Sequence, residues 1–165
     1  MTGASLGDLF VEQIPRLRRY ARALVRDTEQ ADDLVQDCLE RAWSRAHRWR
    51  PDSDLRAWLF TILHNLYVNA VRRGQRRPDR APLPETCRDP GAEGQERAMR
   101  LRDVENGLAE LAPEQREVLL LVCLEELSYR EVADILGVPV GTVMSRLHRA
   151  RERLRAYIQG GRGRH

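Results

Sequence analysis

The sequence predicts an all-α protein: two small helical domains joined by a flexible linker. Three observations carry this. Apolar residues recur near the 3.6-residue helical period through most of the chain, and no stretch supports a strand. Residues 75–95 hold Pro78, Pro82, Pro84, Pro90, Gly91 and Gly94 and show no apolar period, so they read as linker. The opposite sides of that linker carry different kinds of motif. The expected division is therefore 1–74, a linker over 75–95, a second domain over 96–159, and a disordered tail over 160–165.

The first helix is marked by Leu6, Leu9, Phe10, Leu17, Ala21 and Leu24, with a kink or a late start expected near Pro15. Asp27 and Gln30 have capping-box spacing. After them Leu34, Val35, Cys38, Leu39, Ala42 and Trp43 form one apolar stripe, predicting a helix over about 30–47 with Trp43 in the core. Its other face carries Asp32, Asp33, Asp37 and Glu40, which suits either solvent or a basic protein partner. Arg48–Asp54 reads as a loop, and a long helix follows over 55–73, ended by Gly74 and Pro78. That helix presents His64, Asn65, Tyr67 and Asn69 and runs into Arg72 and Arg73. Rings can stack on unpaired bases, amides can read their edges, and arginines can hold the backbone. Trp58 reads as core, and His64 as a satisfied helix histidine, since no His, Cys or carboxylate stands at metal spacing to it.

In the second domain Leu101, Val104, Leu108 and Leu111 mark one helix, and Pro113 opens the next, with Val118, Leu119, Leu121 and Val122 inward. Ser128 and Glu131 form a capping box, Gly137 supplies a corner, and Pro139 can start a last helix. Ala133, Gly137 and Val143 stand at the spacing of a helix-turn-helix: a small residue for close approach, a glycine for the turn, and an apolar lock. The outer face of the last helix shows Thr142, Ser145, Arg146 and Arg149, where a major groove is read. Arg151, Arg153 and Arg155 suit DNA backbone or solvent.

Every basic side chain is arginine, and the net charge is +3. No apolar run is long enough to span a membrane, and the first residues lack the pattern of a signal peptide. Cys38, Cys87 and Cys123 are odd in number and scattered, which predicts neither a disulfide framework nor a metal site and suits a reducing, cytoplasmic setting. Cys38 and Cys123 read as small core residues. No nucleophile–base set, paired carboxylates or phosphate loop points to an enzyme, and no cofactor is expected.

Three segments bring a family into view: DDLVQDCLERAW, LRAWLFTILHNLYVNAVRR, and LAPEQREVLLLVCLEELSYREVADILGVPVGTVMSRLHRARERLR. In order and spacing the chain resembles the extracytoplasmic-function (group 4) sigma factors of the sigma-70 family, which give bacterial RNA polymerase its promoter specificity. The resemblance implies a region 2-like domain bound to the clamp helices of the largest polymerase subunit through Asp33, Gln36 and Asp37. It implies that Arg48, Trp49, Arg50, Pro51, Asp52, Ser53 and Asp54, with Asn65 and Asn69, capture flipped bases of the −10 element, and that Arg72 and Arg73 hold backbone nearby. A region 4-like domain would rest on the flap of the second large subunit and place Thr142, Ser145, Arg146 and Arg149 in the −35 major groove. The linker would pass through the RNA exit channel, and an anti-sigma factor would be a further partner. Unlike the larger housekeeping type, the chain is expected to have no long N-terminal extension and no intact middle domain between residues 75 and 95. Two rival readings are a stand-alone helix-turn-helix regulator, which would dimerise on a palindrome, and a sigma-like decoy that binds an anti-sigma factor.

Overall fold

The structure is a computed structural model that describes residues 4–74 and 91–162. Among these residues the fold is all helical: α1 (Leu6–Val25), α2 (Thr28–Ser44), α3 (Leu55–Arg72), α4 (Gly91–Ala109), α5 (Pro113–Cys123), α6 (Tyr129–Leu136) and α7 (Val140–Arg162), with a 3₁₀ turn at Ala46–Arg48. The linker region read over 75–95 lies largely outside the described residues, as does Cys87.

α1 begins at Leu6, well before Pro15. Its start is fixed by a capping box that the sequence reading passed over: the Asp8 N–H donates to Ser5 Oγ (3.2 Å), and the Ser5 N–H donates to Asp8 Oδ2 (2.9 Å). Those bonds hold the Asp8 carboxyl below its usual range. Pro15 is tolerated inside the helix because it and Val11, whose carbonyl it leaves without an intrahelical donor, are both exposed. α2 is capped by Asp27, whose carboxylate accepts the Gln30 N–H at 2.8 Å.

α2 packs against α1 on one side and α3 on the other. The core between them joins Leu17, Tyr20 and Leu24 to Leu34 and Cys38 and to Leu59, Phe60 and Leu63. Tyr20 meets Phe60 edge-on, with ring centroids 5.1 Å apart. Trp43 is not in this core. It is 60% exposed and lays one edge against Phe10, because it sits at the rim of the α2 stripe, where only α1 reaches it.

Cys38 is buried and its Sγ contacts the Leu59 carbonyl oxygen at 3.4 Å; burial pushes its thiol up to about 12. Cys123, expected inside, is exposed at the end of α5. Iodoacetamide at neutral pH is therefore expected to alkylate Cys123 in the native chain and leave Cys38 untouched until denaturant is added; peptide mass mapping checks this. Labelling of native Cys38 at a comparable rate would contradict its burial.

In the second half α5 is the central helix, packed on α7, α6 and α1. It consequently buries Leu120 as well as Val118, Leu119 and Leu121, whereas Val122 is only half-buried. Two expected boundaries move. Residues 91–95, read as linker, are already helical, because Glu93, Gln95 and Glu96 favour helix strongly enough to absorb Gly94. Residues 160–162, read as disordered tail, continue α7, since extending an existing helix avoids the cost of nucleation. α4 crosses α7 closely at Gly107, where a Cβ would lie 2.5 Å from Leu154 Cδ1. Leu101 and Val104, expected in the core, are 56% and 37% exposed because none of the described residues covers that end of α4.

The two halves dock directly. Arg19 of α1 donates to the Leu124 carbonyl (3.1 Å) and pairs with Glu125 (3.0 Å), while Arg56 of α3 donates to the Glu125 carbonyl (3.3 Å). His64 Nδ1 meets the Glu117 carboxylate, which supplies the satisfied partner expected for that histidine. Arg116 is buried to 5% exposure. It donates to the carbonyls of Leu108, Ala109 and Leu111 and, across the docking surface, to that of Leu24. One guanidinium thus caps the C-terminal ends of α4 and α1 together.

Candidate nucleic-acid interface

The helix-turn-helix is built from local chemistry. Ser128 Oγ accepts the Glu131 N–H at 3.2 Å and Glu131 accepts the Ser128 N–H at 2.7 Å, which starts α6 and holds the Glu131 carboxyl below its usual range. Gly137 takes φ 65°, a conformation costly for other residues, and turns the chain after α6. The N–H groups of Gly137 and Val138 both donate to the Ala133 carbonyl. Pro139 lies just before α7 rather than in it, and its carbonyl accepts from Thr142 and Val143. Ala133, Val143, Leu147 and Ala150 are all buried, so α7 is locked to α6 along one face.

Thr142, Ser145, Arg146 and Arg149 follow at steps of three, one and three and share the opposite side of α7. Thr142 and Arg146 are half-exposed; Ser145 and Arg149 are exposed. Ser145 Oγ donates to the Thr142 carbonyl (3.1 Å), which leaves its lone pairs outward. His148 pairs with Glu152 at 3.3 Å, but neither Arg146 nor Arg149 has an ion-pair partner among the described residues. Two unpaired forked donors beside a hydroxyl on an early helical turn can read guanine edges or grip phosphate.

On the first half, Asp33, Gln36 and Asp37 lie exposed along α2, and Gln36 donates to Glu40 at 3.1 Å, extending the same face. Asp32 is set apart by its duty to Arg22 (3.3 Å) and Arg18 (3.9 Å). Between α2 and α3 a polar cleft of about 690 Å³ brings Asn69 and Arg73 together with Asp37, Glu40, Arg41 and Arg45. Arg41 and Arg45 were not singled out in the sequence. Their signal is a step of four on the side of α2 that faces α3.

Asn65 and Arg72 are exposed on α3 but do not line this cleft, nor does the Arg48–Asp54 loop. In that loop Asp54 caps α3 by accepting the Ala57 N–H (3.2 Å), and Ser53 closes a turn onto the Arg50 carbonyl through both Oγ (2.7 Å) and N–H (2.9 Å). Arg48, Arg50, Pro51 and Asp52 face solvent. Trp49 is half-buried, with no partner for its indole N–H among the described residues.

Two helical halves, one of them carrying a helix-turn-helix with an outward polar face, define the class: a two-part helix-turn-helix protein. Residues 10–64 match the family model "Sigma2 domain of PhyR", and residues 95–154 match "Sigma-70, region 4". The chain is 37% identical over 158 residues to the ECF RNA polymerase sigma factor EcfG of Rhodopseudomonas palustris, covering 94% of this chain and 87% of that protein. It is 30% identical to the RNA polymerase sigma factor YlaC of Bacillus subtilis, covering 92% and 90%. The sigma factor RpoE of Bartonella quintana, solved with the anti-sigma factor NepR, superposes with a TM-score of 0.73 at 31% identity, covering 93% and 96%. The chain belongs to the ECF RNA polymerase sigma factors.

Proposed function

We propose that the chain binds core RNA polymerase through α2 and directs initiation by reading −35 duplex with α7 and unpaired −10 bases with α3 and its neighbours. The observation that carries this is the outward face of α7, where Arg146 and Arg149 have no ion-pair partner among the described residues. Thr142 and Ser145 join them in the major groove. Asn65, Asn69 and the Arg48–Asp54 loop receive flipped bases, with Arg72 and Arg73 on backbone; the cleft at Asn69 adds Arg41 and Arg45 to that set. Unstacking costs a few kcal/mol per step, and these contacts offset it. Polymerase supplies the chemistry, so the chain needs no catalytic group or cofactor. We place it in group 4, since only residues 73–90 separate α3 from α4 and leave no room for a middle domain. It acts in the cytoplasm, with an anti-sigma factor as a further partner. No helix among the described residues is long and apolar enough to cross a membrane.

Run-off transcription with purified core polymerase on a genomic fragment library tests the reading. Discrete new starts sharing −35 and −10 elements are expected; none, with active core, would refute it. The PhyR-type match over 10–64 favours one second reading, a decoy that sequesters an anti-sigma factor. A decoy would bind that factor and yield no starts. Asp33→Arg reverses an exposed charge on the polymerase face and is expected to weaken core binding by about tenfold or more in a direct assay, with the fold intact. Unchanged affinity would remove Asp33 from that face.

A further inference from the structure

Gly137 and Gly107 have plain structural reasons. The first turns the chain at φ 65°, and the second has no room for a Cβ beside Leu154. Gly141 has neither reason. It is the second residue of α7, its φ is not positive, and a Cβ there would meet nothing within 4 Å. Glycine is the poorest helix former after proline, so its place in this exposed turn is unexplained by the fold. The missing side chain leaves a notch on the outward face. Met144 and Ser145, three and four residues on, stand one turn above Gly141 and flank it. The two flanks differ in chemistry. Met144 is 53% exposed, and Val140, 39% exposed, stands one turn before it, so that flank is apolar and uncovered among the described residues. Ser145 forms the other flank. Its hydroxyl proton is committed to the Thr142 carbonyl (3.1 Å), so towards solvent its Oγ can only accept.

In the major groove the hydrogen-bond donors are the amino groups of adenine and cytosine, and only thymine carries a methyl. An amino donor and a methyl occur together on one kind of base pair, A·T. We propose that the Gly141 notch reads a single A·T pair of the −35 element. The thymine methyl packs on Met144, with Val140 behind it. The adenine amino group donates to Ser145 Oγ. The bare backbone of Gly141 lets the edge of the pair come close enough for both contacts.

This assignment rests on the reading of α7 as the −35 helix and adds a base identity to it. Arg146 and Arg149 are donors only, suited to guanine edges or phosphate, so they leave A·T pairs unselected. The notch supplies that selection from the early turns of α7, the part of a recognition helix that meets base edges. An apolar protein partner would cover Met144 and Val140 but has no use for the missing Cβ or for a hydroxyl that can only accept.

The test is run-off transcription by the holoenzyme, core polymerase with the full chain, on a promoter recovered from the fragment library and carrying one base analogue at a time through the −35 element. Uracil for thymine removes only the methyl. 2-Aminopurine for adenine takes the amino group out of the major groove. At one A·T pair, uracil is expected to lower initiation about fourfold, the effect of one methyl left unburied. 2-Aminopurine at the same pair should lower it about three- to tenfold, the effect of one hydrogen bond. Met144→Ala should become indifferent to uracil but still respond to 2-aminopurine, and Ser145→Ala the reverse. Gly141→Ala should lose about tenfold or more, both contacts together, while its unfolding temperature stays level or rises. A Met144→Ala variant as sensitive to uracil as the wild type would overturn the proposal. So would a Ser145→Ala variant as sensitive to 2-aminopurine, a fully active or destabilised Gly141→Ala variant, or a Met144→Ala loss that appears in core binding instead. In each of those cases a continued response to other −35 substitutions leaves the promoter reading of α7 standing. Indifference of the wild type to every −35 substitution refutes that reading, and the notch with it.

Discussion

Arg116→Ala is expected to cost about 3–5 kcal/mol of stability, the largest effect of any single substitution considered. The guanidinium is buried, and burial lowers its pKa from the usual arginine value. Removing it strands the carbonyls of Ala109, Leu111 and Leu24, at or just beyond the ends of two helices, and takes one of two donors from that of Leu108, which keeps the Leu111 N–H. Each unsatisfied buried acceptor costs about 1–3 kcal/mol, and water entering the vacated volume returns part of the sum. Arg116→Lys keeps the charge but not the planar fork, so it should recover only a minor share. Urea unfolding monitored by circular dichroism measures both. A loss under about 1 kcal/mol for the alanine variant would mean the carbonyls find other donors.

Arg149→Ala is expected to lower −35-dependent initiation by about tenfold to a hundredfold, the range spanned by one forked base contact. Core binding should be unchanged, since Arg149 is exposed on the outer face of α7, away from the exposed α2 face. The informative control is a promoter series with single −35 substitutions. If Arg149 reads a base, the variant becomes indifferent to one position. If it grips phosphate, initiation falls evenly across the series and its salt dependence softens. Wild-type activity throughout would remove Arg149 from the interface.

Most of the fold was legible because its signals are local. Ser128, Glu131 and Gly137 lie within ten residues and specify one corner, with little dependence on the rest of the chain. The all-helical class and the division of α7 into a buried and an outward face followed from periodicity in the same way. What was not legible depends on distant neighbours. Glu125 is buried because Arg19 and Arg56, far earlier in the sequence, come to meet it, and no window of residues encodes that meeting. Trp43 looked like core because periodicity locates a stripe but not whether its rim is covered. Ser53 and Asp54 carry the resemblance-based −10 assignment while also closing a turn and capping α3. Arg41 and Arg45 went unmarked because a lone arginine step on an acidic helix looks like ordinary solvated surface until α3 is placed beside it.

The docked halves also set a threshold. If promoter engagement requires separation, the observed affinity for DNA is the intrinsic affinity divided down by the fraction of molecules already open. A chain open one part in ten would bind about tenfold more weakly than its reading surfaces permit. The bonds from Arg19, Arg56, His64 and Arg116 across that surface then act as a gain control. Strengthening them makes the factor quieter and more discriminating between strong and weak promoters, while loosening them lets it respond to weak promoters at the expense of silence.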